Sequence, residues 1–192
     1  MITPSHIIYN WALARTCKIT GAAQRAFIVG GFLPDIPAYL FFFVHTCILG
    51  TAQNVMWDTL YFDSAWTPFI TLSHSFLLWP TLVLCAYLLQ KRVLIALALG
   101  SLFHSTLDFF VHHSDAYRHF WPLSNWTFQS PISYWEPAHF GTLFTAVDAT
   151  VVLLLLYWIF YTTTQVRMRR FILLCMLLYA TAVLLPLIIF SI

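Results

Sequence analysis

Apolar residues run almost without interruption along four stretches of this chain, about 68–89, 92–111, 140–163 and 170–191. Each matches the roughly 20 residues that a helix needs to cross a hydrocarbon core. A fifth region, 22–50, is long enough but holds Gly30-Gly31-Phe32-Leu33-Pro34-Asp35-Ile36-Pro37. Two glycines, two prolines and a carboxylate predict a broken helix there. Broken backbone at membrane depth is tolerated only where protein or a wet cavity surrounds it. Residues 5–17 are too short to span. With a turn at Lys18–Gly21 they pair with 22–33 as a half-depth helical hairpin, which brings His6 and Asp35 to similar depth. The pattern predicts an all-α, polytopic membrane bundle: four full spans, the hairpin and the broken helix, in one integral-membrane domain over 1–192, with a loop or lid at 112–139.

Composition narrows the class. Of 192 residues, 60% are hydrophobic and only 8% are Asp, Glu, Lys or Arg, against about 25% in soluble domains. Nine basic and seven acidic residues cannot build a phosphate-tracking surface, so nucleic acid is excluded as a partner. Lys91 and Arg92, the cluster Arg167, Arg169 and Arg170, and the group Arg15, Lys18 and Arg25 lie in alternate connections. The positive-inside rule places all three on the cytoplasmic side. The connections 51–67 and 112–139 then face outward, with Asp58, Asp63, Asp115 and Glu136 against one basic residue, Arg118. The first twenty residues lack a clean apolar run and carry His6, Arg15 and Lys18, which does not fit a cleaved signal segment. Cys17, Cys47, Cys85 and Cys175 have no paired spacing and read as buried small hydrophobes.

Against this background the polar residues inside the spans stand out, each costing about 2.5–3.5 kcal/mol on insertion. Asp35, His74, His104, Asp108 and Asp148 fall at matching depths in the outer half, which predicts one pooled cluster. The sharpest local pattern is Gly100-x3-His104-x3-Asp108-x3-His112. Four-residue spacing stacks these positions on one helical face: the glycine permits close helix approach, and an imidazole and a carboxylate follow in chelating geometry. His74 lies between Ser73 and Ser75, whose hydroxyls are placed to hold its ring. Asp35 after Pro34 is positioned either to cap the next helix or to ligate. His6 fits the set through the hairpin; His45, without an acidic neighbour, reads as structural. In the 112–139 connection, His113, Asp115 and His119 are candidates for general base or leaving-group acid, while Trp121, Trp126, Tyr134 and Trp135 suit a membrane interface. His112, His139, Glu136 and Asp148 receive no role.

Thr3-Pro4-Ser5-His6, Gly31-Phe32-Leu33-Pro34-Asp35, Ser73-His74-Ser75 and the segment Gly100 to Asp108 occur in an order that resembles the YdjM-like family of bacterial inner-membrane metal-dependent hydrolases. The resemblance covers about residues 3–141. It implies a bacterial inner-membrane location and His6, Asp35, His74, His104 and Asp108 as metal ligands. The chain departs from the family pattern at Ile36-Pro37, where a further Asp is frequent, and at Thr71-Leu72, where an Arg often precedes the His-Ser pair.

Imidazoles with carboxylates suit a divalent metal: zinc, or manganese or iron, as one ion or two. Water activated by such a site in the outer half of a bundle would hydrolyse an ester or phosphoester of a membrane lipid or lipid-linked substrate. Two other classes use the same residues. Intramembrane His and Asp also build ion or proton pathways, and a structural metal can staple a non-catalytic membrane scaffold.

Overall fold

The computed structural model describes the backbone of residues 1–190 and side chains as far as Val183. It is helical, with no strand among those residues. Helix α1 (Thr3–Thr16) turns at Cys17–Thr20 into α2 (Gly21–Gly30). A single 3-10 turn, Leu33–Asp35, leads into α3 (Ile36–Phe43), which continues as a π-helical turn, Val44–Ile48. A short α4 (Gln53–Val55) and a second π-helical turn, Met56–Leu60, precede α5 (Thr67–Ser73) and α6 (Leu78–Leu88). Then come α7 (Arg92–Phe109), α8 (Gly141–Tyr161) and α9 (Val166–Phe190).

Among the described residues, three helices are long and apolar enough to cross a membrane: Gly21–Ile48, Arg92–Phe109 and Gly141–Tyr161. The break expected at 30–37 is therefore mild. Pro34 and Pro37 each occupy the first turn of a helical segment, where a missing N–H costs no bond, so the helix tightens and resumes. The stretch 68–89 is not one straight helix. It bends by 56° between α5 and α6, which together make a fourth candidate span. Ser75 Oγ accepts from Leu77 N–H, a local bond that competes with the helical ladder, and donates to the distant Trp121 O. Pro80 also withholds one amide from the first turn of α6. The predicted 170–191 helix begins earlier, at Val166, and its last residue lies outside the described residues.

The exterior is oily. Leu84, Leu88, Leu154, Tyr157, Leu177 and Leu178 are all more than half exposed, a surface suited to lipid and not to water. Cys17, Cys47 and Cys85 share that exterior. This corrects the reading of them as core residues: with lipid outside, a small apolar thiol gains nothing by turning inward. Inside, Ile8 and Ala12 of α1 pack with Val152, Leu156 and Ile159 of α8 and with Ile172 and Tyr179 of α9. A second cluster joins Phe41, Met56, Ile70 and Tyr117. The polar cluster described next lies where α1, α2, α5 and α7 meet.

Candidate metal centre

Helix α7 sets the centre's geometry. A Cβ at Gly100 would stand 2.2 Å from Phe27 O, and one at Gly30 only 2.5 Å from Leu97 O. The missing side chains let α2 touch α7 backbone to backbone, as small residues do between membrane helices. Asn10 Nδ2 closes the seam, donating to Phe27 O at 2.7 Å and to Gly100 O at 3.0 Å. One turn on, this contact puts the end of α2 beside His104, whose Nδ1 donates to Gly31 O at 2.9 Å. The 3-10 turn then carries Asp35 over the same spot.

His74 arrives at the break between α5 and α6. Its Nδ1 donates to Ile70 O at 2.9 Å, and its ring stacks on Tyr117 with centroids 3.8 Å apart. Ser73 Oγ donates to Pro34 O at 2.7 Å, tying α5 to the turn that holds Asp35. Thr3 Oγ1 donates to Asp35 Oδ2 and receives Tyr39 O–H. Asp35 heads α3, yet its side chain makes no capping bond there; its carboxylate is committed to the centre and to Thr3.

Four donor atoms, one each from Asp35, His74, His104 and Asp108, lie within 4.8 Å of one another. His74 Nε2 is 3.5 Å from both Asp35 Oδ1 and Asp108 Oδ2. His104 Nε2 is 3.5 Å from Asp35 Oδ1 and 3.0 Å from Asp108 Oδ2. Both Nε2 atoms are buried without a hydrogen-bond partner. Since each Nδ1–H is spent on a carbonyl, a neutral ring presents a bare Nε2 lone pair. A lone pair facing carboxylate oxygen is repulsive unless a cation lies between them. Metal-ligating histidines are oriented in this way, the second nitrogen donating to a carbonyl. Bonds of about 2.0–2.1 Å in a tetrahedron put neighbouring donors about 3.4 Å apart, close to the four His–Asp separations. The residues fit a divalent cation.

Asp108 faces two ways. While Oδ2 points at the histidines, Oδ1 is 2.9 Å from His6 Nε2, 2.7 Å from the Met1 amino group and 3.4 Å from His112 Nε2. His6 stacks on His104, centroids 3.6 Å apart. The structure thus gathers all five predicted ligands, with His6 on the far oxygen of Asp108. Asp148 stays apart from the pool expected for it. It accepts from Ser5 Oγ at 2.6 Å, Tyr9 O–H at 2.8 Å and Tyr179 O–H at 3.2 Å, hydroxyl donors that satisfy a buried carboxylate without a metal. His45, facing Thr51 Oγ1 at 3.0 Å and packed on Phe41, lies outside the centre.

A cavity of about 380 Å³ opens onto Asp35 and Asp108, within the range of small-molecule sites. His113, Asp115 and His119 do not line it. The His113 ring faces Ser130 O and stacks on His139. His119 is packed between Phe76 and Phe109, its Nδ1 donating to Tyr117 O at 3.0 Å. Burial, then the neighbouring His74, pushes its pKa down to about 4. Asp115 reaches the centre indirectly: its Oδ2 is 2.9 Å from His112 Nδ1 and accepts Trp135 Nε1–H at 3.1 Å. Burial raises the Asp115 carboxyl, but the His112 bond and charge outweigh it and hold it below the ordinary value.

The residue without an assigned role is thus the best placed: His112 lines the cavity, and its rank on the four-residue stack was the available signal. Tyr117 and Thr3, which hold His74 and Asp35, carried no such signal. Comparison with known proteins supplies nothing further, since no known family's sequence profile, no curated protein and no solved structure matches this chain.

Proposed function

We propose that this protein is a membrane-embedded metal-dependent hydrolase acting on an ester or phosphoester of a lipid-like substrate. One observation carries the reading: two buried imidazole nitrogens without hydrogen-bond partners face two carboxylates at 3.0–3.5 Å on the wall of a cavity. A divalent ion bound there would polarise the scissile bond and activate water near neutral pH. Asp35, His74, His104 and Asp108 would hold it. His6 orients Asp108 through Oδ1, and His112, braced by Asp115, stands beside that oxygen within reach of a proton. The Nδ1 bonds of His74 and His104 keep both rings in the ligating tautomer. Zinc is the first choice of ion, and the resemblance to bacterial inner-membrane hydrolases, with the alternation of basic residues, supports a site in the non-cytoplasmic half.

A second reading draws on the donor count. Four protein ligands fill a tetrahedral ion, as in structural zinc sites, which favours a scaffold stapled by metal. Catalysis instead needs a further position open toward the cavity, on a zinc that expands to five-coordinate or on five- or six-coordinate manganese or iron. The test is elemental analysis of gently purified protein and of His104→Ala, alongside hydrolysis of fluorogenic esters and phosphoesters. The expected result is stoichiometric metal and metal-dependent turnover, both lost in His104→Ala. Absence of stoichiometric metal from the wild type refutes both readings, and bound metal without turnover on either substrate class leaves the scaffold.

A further inference from the structure

Resting on the hydrolase reading, we propose that the cavity accepts an uncharged acyl ester, a single hydrocarbon chain entering sideways from the bilayer, and discriminates against phosphoesters. Charge balance is the first ground. Two carboxylates and two neutral imidazoles cancel a divalent ion, so no surplus positive charge remains to hold a phosphoryl anion. Phosphate sites ordinarily add Arg or Lys; among the described residues none lines this cavity. The Met1 amino group, which does line it, is already paired with Asp108 Oδ1 at 2.7 Å.

The walls are the second ground. Away from the centre they consist largely of Ala38, Tyr39, Phe42, Trp57 and Tyr61. Tyr39, Phe42 and Trp57 are 49%, 39% and 40% exposed. Tyr39 and Phe42 belong to the Gly21–Ile48 span, so the mouth they frame opens toward lipid. The Phe42 and Trp57 rings are stacked, centroids 6.0 Å apart and 21° between planes, a flat apolar floor for a methylene chain.

Size is the third. At about 30 Å³ per heavy atom, the share of one liquid water, 380 Å³ holds about a dozen atoms. That is an ester group and the first part of one chain, with the remainder left in the bilayer. In the reaction water oxygen bonds to the acyl carbon and the acyl C–O bond breaks. The departing alkoxide takes one of the water's two protons, the other is released to solvent as the acid leaves as a carboxylate, and nothing is oxidised or reduced.

The test uses full-length protein in nanodiscs, loaded with zinc or manganese. Ethyl esters from acetate to decanoate are compared with ethyl phosphate and diethyl phosphate. The expected kcat/KM rises about two- to fourfold per added methylene, levels off when the cavity is full, and exceeds both phosphoesters by at least about 100-fold. Ala38→Phe should shift the plateau to shorter chains without changing metal content. Independently of turnover, a non-hydrolysable ether with a brominated chain should quench fluorescence in the wild type, with the increment lost in Trp57→Phe. Faster phosphoester hydrolysis, or rates independent of chain length, overturns the inference while the hydrolase reading stands. Metal bound with no substrate cleaved overturns the hydrolase reading itself. Absence of a Trp57-dependent quench shows that no chain lies in the cavity.

Discussion

Asp108→Asn separates a metal site from a satisfied polar core, because only a metal site has a metal-induced stabilisation to lose. The substitution is isosteric and removes one charge. Asp108 Oδ1 faces the Met1 ammonium at 2.7 Å, a group that only donates, so the amide keeps its oxygen there. Its NH2 then replaces Oδ2, 3.0 Å from His104 Nε2 and 3.5 Å from His74 Nε2. Both nitrogens lack a partner in the wild type, and a donor in that position supplies up to two hydrogen bonds of about 1 kcal/mol each. Against this gain, the Met1 ammonium trades a charged partner for a neutral one, a loss of about 3–5 kcal/mol for a buried pair, so metal-free Asp108→Asn should melt below the metal-free wild type by a few °C at roughly 2–4 °C per kcal/mol. Metal affinity is the discriminating quantity. Altering a group that merely supports a ligand costs about 10–100-fold, so losing a charged ligand costs more than about 100-fold. With metal at about 100 times its Kd the wild type gains about 2.7 kcal/mol, whereas the variant at that concentration gains less than about 0.4. Thermal melts in detergent with and without zinc or manganese, together with a competitive chelator titration, measure both. A variant that keeps the metal-induced shift, or that binds metal as tightly as the wild type, refutes the reasoning.

Three further outcomes are expected. Gly100→Ala drives a methyl into Phe27 O, 2.2 Å from the ideal Cβ, prising α2 from α7 at about 1–3 kcal/mol; melts should fall, and chelator titration should show at least about tenfold weaker metal binding as His104 loses Gly31 O. Asp148→Ala strips the acceptor from Ser5, Tyr9 and Tyr179 and should destabilise by roughly 2–4 kcal/mol while elemental analysis still finds the wild-type metal ratio. His119 is held neutral with its pKa pushed down to about 4, so the unfolded chain binds the proton first, near its ordinary value of about 6.5. Stability of the metal-free protein should therefore fall as pH drops from about 6.5 to 4, by roughly 3 kcal/mol in all, and melts of His119→Gln should show a flatter pH dependence.

The helical, membrane-suited class and most of the buried Asp–His cluster were legible in sequence because both rest on local rules. A run of apolar residues needs no partner to be recognised as a span, and burying a charge in lipid is costly wherever it occurs. The spacing of Gly100, His104, Asp108 and His112 projects them onto one face by helix geometry alone. Tertiary structure decided what depends on contacts distant in sequence. Asp148 looks like a ligand by depth, but Ser5, Tyr9 and Tyr179 reach it first from α1 and α9. The bend at His74 depends on Ser75 finding Trp121 O, a contact 46 residues away. Asp35 gave up the capping role because Thr3 and the centre compete for its oxygens. Which nitrogen of His74 and His104 is free was set by the carbonyls of Ile70 and Gly31. A side chain's type is written in the sequence, but the partner that satisfies it is whichever group the packed backbone brings within about 3 Å.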